Sequence, residues 1–472
     1  MGLTERTNRR RFLVCVGGVG AAALLVACGA PAQPTATPAP AKPAAGAAPT
    51  VAPAAAPKAA AGVTTLRLHC RLGPEDDMWP QILPKFEQEN NAKVELEQVA
   101  GQQEYLQKLQ TLVAAGQVGD VAHVFTGDSS FQMFFSSGML VSLEKFVADD
   151  KFDLNQYYKF CVDICKVDGK LGGLPFKGHP SRCGIFYNKD LFDAAGIKVP
   201  TNDSSYDDLV AAAKKLHKAS ASGDVDVFGW SNPGKNDLEW YIVLTRAGGA
   251  TGSDLFIEDG KKSGMQNPDA QWGWKWVYDM MNTHKIMLNP LASNPAPNDL
   301  FLSGKLAMLQ ANLGQKAAYA KLDKFKWGMS IAPKGPKGRR GTMAQADVVA
   351  LTKYSKAPEL GWKLLKAITS KEAGIALGRQ SAGGRSATPG GRPDVYEALL
   401  DLPMPPGVQE NTMLAMKEVE PYIQPANFRG PEIIRAIDPL YEALILDKNK
   451  PDSQYFTQLH QAIQDILDKP RP

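Results

Sequence analysis

Short stretches with the two-residue period of a β-strand alternate with amphipathic helical stretches from Thr64 onward. Leu66 and Leu68 alternate along the first stretch, residues 105–115 carry their leucines on one helical face, and residues 121–125 are largely apolar. Such an alternation of strands and helices predicts a parallel sheet covered by helices. Because 472 residues exceed what one hydrophobic core usually holds, the chain is predicted to form two domains.

A stretch at residues 169–200 is predicted to cross between these two domains. Pro175 and Pro180 each disfavour helix in the residue before them, so residues 174–181 are expected to be extended. A short apolar strand at residues 184–187 follows. A crossing of this kind acts as a hinge, and the cleft beside a hinge is a common place for a ligand to bind.

Motifs in this stretch and further along the chain resemble a known family. Residues 169–175 read Gly-Lys-x-x-Gly-x-Pro, residues 187–192 read Tyr-Asn-Lys-Asp-Leu-Phe, and residues 300–309 read Leu-Phe-Leu-Ser-Gly-Lys-Leu-Ala-Met-Leu. In this order they resemble the family 1 extracellular solute-binding proteins of ABC importers, the maltose-binding-protein-like group. The resemblance spans about residues 64–385, and Gly119 stands where the family usually has a proline.

The resemblance implies an α/β fold of the two-lobed, type II periplasmic-binding-protein kind. Each lobe is expected to be a mostly parallel sheet with helices on both faces, and three hinge crossings are expected to join the lobes. Residues 63–176 and 327–352 are assigned to the N-terminal lobe, and residues 177–326 and 353–472 to the C-terminal lobe. The protein is expected to be a monomer.

The N-terminal segment is predicted to be a targeting signal followed by a tether. Residues 1–28 contain an arginine run before Phe12-Leu13, which resembles a twin-arginine export signal, and Leu-Val-Ala-Cys ending at Cys28 resembles a lipidation site. An uncleaved signal anchor is the alternative. Residues 29–62, almost wholly Ala, Pro, Thr and Gly, are predicted to be a disordered tether. We therefore expect an extracytoplasmic protein that contacts the cell membrane through its lipid only.

Charge gives no argument for nucleic acid as a partner. The formal net charge is +4, and the signal segment supplies +3 of it, so the remaining chain is nearly neutral. The only dense basic run, residues 334–340, contains Gly and Pro and is interpreted as a solvated loop.

Motifs for catalysis, cofactors or metals are missing from the sequence. It has no Gly-x-Ser-x-Gly, no His-Glu-x-x-His, no Cys-x-x-Cys and no phosphate-binding loop, and its six histidines have no ligand spacing. We predict a protein that binds without chemistry, with no cofactor and no metal.

Cysteine pairing stays open at this point. Cys161 and Cys165 lie one helical turn apart, a spacing unsuited to bridging each other, whereas Cys183 could pair with either of them. Free buried thiols, Cys70 among them, are the alternative.

Candidate ligand contacts are the polar and aromatic residues that follow predicted strands or lie in the crossing, because α/β sheets bind ligands at the carboxyl ends of their strands. Planar carboxylate, amide and guanidinium groups match the vicinal hydroxyls of a sugar, and aromatic faces match the apolar side of its ring. The candidates are Arg71, Glu75, Asp76, Thr126, Asp128, Phe131, Lys177, His179, Trp230, Asn232, Asn312, Gln315, Gln345 and Asp347.

The resemblance implies a binding protein that delivers a mono- or oligosaccharide to the transmembrane subunits of an ABC permease. Lys316 stands where many saccharide-binding relatives carry an aromatic residue, so another solute remains an alternative. Arg71, Lys177, Arg379 and Arg385 suit an anionic ligand such as a uronate. A secreted hydrolase and a scaffold lipoprotein are the further alternatives.

Overall fold

The computed structural model describes residues 62–232, 238–249, 253–289, 291, 296–380, 388–419, 421–423 and 429–470. The described residues all belong to one compact unit, Ala59–Pro472. The predicted export signal with Cys28, and the predicted tether except Gly62, lie outside the described residues. Within the described ranges, no helix is both long and apolar enough to cross a membrane.

Strands and helices alternate along the first part of the chain, and helices predominate toward its C-terminus. The strands are β1 (Thr64–Arg71), β2 (Ala92–Val99), β3 (Val121–Phe125), β4 (Lys166–Val167), β5 (Lys170–Leu171), β6 (Leu174–Pro180), β7 (Gly184–Asn188), β8 (Lys218–Ala219), β9 (Val225–Val227), β10 (Phe256–Ile257), β11 (Lys262–Ser263), β12 (Met308–Ala311), β13 (Trp327–Ile331) and β14 (Ala344–Leu351). The α-helices are α1 (Trp79–Asn90), α2 (Gln102–Ala114), α3 (Ser130–Ser136), α4 (Glu144–Asp149), α5 (Lys159–Asp163), α6 (Lys189–Ala194), α7 (Tyr206–Leu216), α8 (Leu238–Ala247), α9 (Pro268–Tyr278), α10 (Pro297–Leu302), α11 (Lys316–Tyr319), α12 (Pro358–Ile368), α13 (Lys371–Gln380), α14 (Pro393–Ala398), α15 (Val408–Glu418), α16 (Gly430–Ile445) and α17 (Ser453–Leu467). Short 3-10 helices occur at Pro74–Asp77, Leu154–Gln156 and Leu313–Gln315, and a π-helical turn at Asp279–Thr283.

The first sheet has five strands in the order β2-β1-β3-β14-β6. β1 runs parallel to both β2 and β3, and β14 runs antiparallel to both β3 and β6. The alternation expected in β1 is present, because Leu66, Leu68 and Cys70 are completely buried in the core beneath the sheet. The strand–helix alternation therefore produced the parallel half of this sheet, as predicted.

The second sheet has three strands in the order β12-β7-β13. β7 pairs antiparallel with both neighbours, which differs from the mostly parallel sheet expected in this lobe. Parallel contacts here are single bridges, Phe228 with Leu306 and Ser231 with Leu309. A core rich in aromatic residues packs around Trp240, Trp274 and Tyr441. The α/β, two-lobed fold class is confirmed, and only strand direction in the second lobe differs.

The predicted crossing at residues 174–181 is confirmed as extended backbone. β6 belongs to the first sheet up to Pro180, and β7 begins in the second sheet at Gly184. The turn between them places Arg182 in the left-handed region, at φ 53°. A second passage leads from β13 to β14. Residues 381–387, between α13 and α14, lie outside the described residues.

Strand pairing moves two of the predicted lobe boundaries. Residues 327–352 were assigned to the N-terminal lobe, yet β13 at their start pairs with β7 of the second sheet. Residues 353–472 were assigned to the C-terminal lobe, yet α12 and α13 pack Trp362 and Leu377 into the core of the first sheet. Sequence periodicity identifies an element but not its partner, so these boundaries could not be read from the pattern.

Side-chain caps explain where several helices begin. The Ser205 hydroxyl accepts from the backbone N–H of Asp208, and the Asp208 carboxylate accepts from the N–H of Ser205, which closes a capping box at the start of α7. Asn188 caps α6 by accepting from the N–H of Leu191. Asn188 is therefore both the last residue of β7 and the cap of α6.

The basic run at residues 334–340 is anchored rather than freely solvated. Lys334 pairs with Asp203 at 2.9 Å, Lys337 pairs with Asp269, and an Arg339 nitrogen lies 3.3 Å from Asp254. The run therefore ties its turn to the loop before α7, to α9 and to the segment after α8, and three of its four cationic side chains have a carboxylate partner.

The cysteines of the described residues form no disulfide. Cys70, Cys161, Cys165 and Cys183 are all free and buried, so a bridge from Cys183 to either neighbour is not formed and the free-thiol alternative holds. Burial raises the pKa of the Cys161 thiol well above its ordinary value, which keeps it protonated and unreactive.

Candidate functional site

A polar cavity of about 370 Å3 lies between the first sheet and the helices of the second core. The first-sheet side presents mostly charged and amide side chains at the ends of strands, and the opposite side comes from α8, α16 and the segment after β12. The lining residues are Arg71, Gln102, Gln103, Phe125, Gly127, Asp128, Lys177, His179, Leu238, Glu239, Asn312, Gly314, Gln345, Asp347, Thr388 and Ile434.

A buried ion cluster forms the floor of this cavity. Lys177 of β6 and Asp347 of β14 are direct cross-strand partners, and the Lys177 ammonium nitrogen lies 2.8 Å from a carboxylate oxygen of Asp347. The same nitrogen donates to Glu75 Oε2 at 3.1 Å. One cation thus serves two carboxylates, which come from a strand and from the 3-10 helix after β1.

Arg71 extends the cluster toward the cavity. Its guanidinium lies 3.4 Å from oxygens of both Glu75 and Asp347, and it donates to Gln102 Oε1 at 3.0 Å. The same group lies over the ring of Phe125, 5.0 Å from the ring centroid. Arg71 is therefore fixed by contacts with four side chains, and it also lines the cavity.

The charge state of the cluster follows from these contacts. Burial alone would raise the pKa of Asp347, but Lys177, His123 and Arg71 hold that pKa well below its ordinary value. Glu75 behaves in the same way: burial opposes ionisation, and Lys177 with His123 and Arg71 nevertheless lowers its pKa. Both carboxylates are charged at neutral pH and are matched by two cations.

His123 is the buried neighbour of both carboxylates. Its side chain is 1% exposed, with Nε2 3.3 Å from Asp347 Oδ2 and Nδ1 3.8 Å from Glu75 Oε1. Burial lowers the pKa of His123, and this effect outweighs the two carboxylates, which would raise it. The ring is therefore neutral at physiological pH. Glu75, His123 and Asp347 are donors of the kind that bind metals and lie within 4.8 Å of one another. The Lys177 ammonium, however, takes the place that a metal cation would have between the two carboxylates.

Asp128 is a lining carboxylate on the first-sheet side of the cavity. Its Oδ1 accepts from the backbone N–H of Ser130 at 2.9 Å, and its Oδ2 accepts from Gln102 at 2.7 Å. Burial raises the pKa of Asp128, and the hydrogen bonds from Ser130 and Gln102 oppose this rise. Asp128 and Gln102 thus form a carboxylate–amide pair, a combination suited to hydroxyl groups that both donate and accept.

The second lobe contributes Glu239 and Asn312. Glu239 accepts from the Ser181 hydroxyl and lies 3.5 Å from Arg182 Nε, while Asn312 Oδ1 accepts from the backbone N–H of Arg182 at 2.6 Å. These bonds fix the crossing turn against the second lobe. The turn and the cavity wall are therefore one hydrogen-bonded unit.

The two lobes touch at Gly127, on the loop after β3. A Cβ atom at this position would lie 2.9 Å from Gln345 Nε2 and 3.2 Å from Glu239 Oε1. A glycine lets the loop approach α8 this closely. Contact across the cavity is thus made by the backbone of one lobe and a carboxylate of the other.

Half of the predicted ligand contacts line this cavity. They come from five separate strands or loops that strand pairing brings to one edge of the first sheet or to the facing wall. The residues are Arg71, Asp128, Lys177, His179, Asn312, Gln345 and Asp347.

Three other predicted residues lie beneath the cavity or beside it. Glu75 is completely buried and positions Arg71 and Lys177 from below. Asp76 accepts from the backbone of Gly73 and from Gln98, so it stabilises the local 3-10 turn. The Thr126 hydroxyl exchanges hydrogen bonds with the backbone of Ala346 and ties β3 to β14. These three predictions of direct contact are corrected to structural roles.

Both predicted aromatic contacts are core residues. Phe131 is completely buried and packs near Phe135 with ring centroids 6.3 Å apart. Trp230 is also completely buried, with its ring edge-on to Trp276 at 5.7 Å. The position of Trp230 at a strand end suggested the cavity, but its side chain faces the second core instead.

The last two predicted contacts are also directed elsewhere. Asn232 is completely buried, with its amide nitrogen 3.7 Å from the Met287 sulfur. Gln315 donates to Asn298 at 2.6 Å and so holds the turn after β12. Both amide groups therefore contact side chains of the second lobe and do not line the cavity.

Sequence reasoning missed several lining residues. Gln102 directly follows β2 and its glycine turn, so the strand-end rule applied to the first and third strands would also have found it. His123, which is buried beside the ion cluster and does not line the cavity, was also missed, although a polar residue inside an otherwise apolar strand is a usable signal. Glu239 and Thr388 have no such signal, because only the packing of the two lobes brings them to the cavity.

Comparisons with known proteins agree with this architecture. A family model described as bacterial extracellular solute-binding protein matches residues 73–375. A protein of Brucella abortus (strain 2308) named as a binding protein is 28% identical over 326 residues, which is 68% of this chain and 75% of the relative.

Solved structures share the fold at low sequence identity. An ABC substrate-binding protein of Listeria monocytogenes in complex with cycloalternan is 23% identical, with a TM-score of 0.71 over 85% of this chain and 98% of its own. The maltose-bound MalE3 of T. maritima is 20% identical, with a TM-score of 0.67 over 85% of this chain and 100% of its own. Both similarities concern the fold.

Proposed function

Because the chain belongs to the bacterial extracellular solute-binding proteins, we propose that it captures a sugar between its two lobes and delivers it to an ABC permease. The observation that carries the proposal is the polar cavity, where Asp128, Gln102, Gln345 and Asn312 offer carboxylate and amide groups from both lobes. Such groups bind hydroxyls in pairs. The sugars and sugar alcohols named with structures of the same fold support this substrate class.

The balance of charges favours a neutral ligand over an anionic one. Arg71 and Lys177 are already paired with Glu75 and Asp347, so an incoming carboxylate would compete with carboxylates that are in place. Arg379, proposed for an anionic ligand, instead pairs with Asp401 at 3.0 Å and does not line the cavity. Arg385 lies outside the described residues.

The size of the cavity favours a short sugar. Its volume of about 370 Å3 is near the lower end of the range for small-molecule pockets, roughly 300–1,000 Å3. Phe125 is the aromatic residue in the lining, and part of its ring is covered by Arg71. We therefore propose a mono- or disaccharide held mainly by hydrogen bonds.

Closure of the lobes is part of the proposed mechanism. Ligand bound on the first lobe would gain contacts with Glu239 and Asn312 when the second lobe closes, and this difference in binding favours the closed state. The closed form would then be recognised by the permease.

Native mass spectrometry of the full-length protein, purified gently from cells grown in rich medium, tests the ligand class. A retained adduct with the mass of one or two hexose units supports the proposal. An adduct of another mass rejects the sugar while keeping solute binding. If titration calorimetry with neutral and acidic sugars then prefers a uronate, the argument from charge balance is wrong.

Lipid anchoring at Cys28 and the absence of catalysis are separate parts of the proposal. Replacing Cys28→Ala is expected to move the protein from the membrane fraction to the soluble extracytoplasmic fraction. The bound sugar is expected to be recovered unchanged after prolonged incubation. Hydrolysis of the sugar would instead favour the secreted hydrolase, and the lack of any cleft ligand would favour the scaffold lipoprotein.

A further inference from the structure

A second cavity of about 130 Å3 lies among α11, α13, α14 and α15. Its wall is mainly apolar and includes Tyr396, Leu399, Leu402 and Met404, and it shares no lining residue with the polar cavity. The volume is about ten times the minimum that a single water molecule needs, so a small organic molecule has room there.

Lys316 places one charged group in this apolar wall. Its side chain is 8% exposed, and its ammonium donates to Gln409 Oε1 at 2.7 Å and to Thr412 Oγ1 at 2.9 Å. Neither partner carries a charge, and among the described residues no carboxylate forms an ion pair with Lys316. A buried ammonium without an anion is unfavourable unless something compensates it.

The hydrogen-bonding capacity of Lys316 is also incompletely used. An ammonium group has three N–H donors, and Gln409 and Thr412 accept two of them. Gln409 is itself part of the lining, so the donor group stands at the edge of the cavity. Lys321, an exposed residue of the same lining, adds a second positive charge at the rim.

Burial affects the charge of the amine as well. It lowers the pKa of Lys316 to about 7, because the apolar surroundings disfavour the ammonium form. A bound anion would favour the charged form again. The cavity and the lysine thus complement a molecule with an anionic head and an apolar body.

We propose that this second cavity binds a small monocarboxylate, with its carboxylate on Lys316 and its short hydrocarbon chain against Leu399, Leu402 and Met404. The site is separate from the proposed sugar site and different in chemistry. Carboxylate and amide groups dominate the polar cavity, whereas the second cavity combines one cation with hydrocarbon.

Calorimetric titration of the full-length protein with pentanoate at pH 6.5 tests this inference, with pentanamide as the uncharged probe of the same shape. Saturable binding of pentanoate at one site is expected, with pentanamide at least about tenfold weaker, because its neutral carbonyl lacks the charge attraction that a carboxylate has to the ammonium. Lys316→Met is expected to weaken pentanoate binding at least about tenfold. Ala320→Phe, which fills the cavity and leaves Lys316 in place, is expected to abolish it.

Lys305→Met, which removes an exposed lysine outside this cavity, is the matched control and is expected to bind pentanoate unchanged. Equal affinity for pentanoate and pentanamide would overturn the proposal, as would unchanged binding by Lys316→Met or no pentanoate binding at millimolar concentration. The titration requires no sugar, so its outcome is independent of the proposed transport function.

Discussion

Lys177 and Asp347 face each other across the antiparallel strands β6 and β14, with the ammonium nitrogen 2.8 Å from the carboxylate oxygen. The register of the two strands shifts between Asp347 and Val348, so the pair stands beside a bulge. The same ammonium reaches Glu75 at 3.1 Å. One charge pair therefore joins the crossing strand, the return strand and the floor of the cavity.

Replacing Lys177→Met should be strongly destabilising, because it leaves the buried carboxylates of Glu75 and Asp347 without their shared cation. We expect the free energy of unfolding at pH 7 to fall by about 3–5 kcal/mol, measured by urea denaturation. Lys166→Met is the control: it breaks a surface pair with Asp163 and should cost at most about 1 kcal/mol. Equal effects for the two variants would contradict the role of the cluster.

Acidification should destabilise the protein in part through His123. Because burial lowers its pKa in the folded state, the unfolded chain binds a proton at this residue first, below a pH of about 6.5. Stability is therefore lost as the pH falls from 6.5 toward the folded pKa. His123→Gln should flatten the dependence of unfolding free energy on pH below about 6.5. An unchanged slope would show that His123 titrates alike in both states.

Asp128 and Trp230 should give opposite results, although both were predicted as ligand contacts. Asp128→Asn is expected to lower sugar affinity about tenfold with little change in stability, because it alters a lining acceptor whose pKa burial already raises. Trp230→Phe is expected to cost about 1–3 kcal/mol of stability and to leave affinity nearly unchanged, because Trp230 lies in the core.

Calorimetry with the sugar that mass spectrometry identifies measures the affinity of each variant. Urea denaturation measures its stability. A large loss of affinity in Trp230→Phe without loss of stability would show that Trp230 contacts the ligand after all.

Lys316 should make the protein more stable as the pH rises. Burial lowers the pKa of Lys316 from 10.5 to about 7 in the folded state, so between these values the unfolded chain binds more protons. The free energy of unfolding should therefore increase from about pH 7 toward pH 10, and Lys316→Met should flatten this rise. Urea denaturation of the wild-type protein and of Lys316→Met across this pH range measures the two slopes. Identical slopes would mean that Lys316 is charged in the folded state.

The sequence anticipated the first sheet better than the second. In β1 the alternation of Leu66, Leu68 and Cys70 reports directly which face is buried, and Pro175 and Pro180 report an extended backbone. The direction of β7 relative to β12 and β13 is not encoded in any local pattern, because an antiparallel and a parallel neighbour bury the same apolar face.

The predicted site residues show the same difference between what a local pattern indicates and what tertiary packing decides. Arg71 and Asp128 were found because the carboxyl ends of strands meet at one edge of a sheet, and Lys177 was found because it lies in the crossing. Trp230 and Phe131 also lie at strand ends, but they do not line the cavity. A strand-end side chain is free to turn into the core, where a large apolar surface gains most from burial.

The sequence by itself determined the family, the alternation that builds the first sheet and the extended crossing, since these depend on local periodicity and backbone restrictions. Only the tertiary structure decided that Lys177 bridges Glu75 and Asp347, that Glu239 reaches Gly127 across the cavity, and that Lys316 is buried without an anion. Such relationships join residues far apart in the chain, and their energies depend on burial and distance, which no local pattern records.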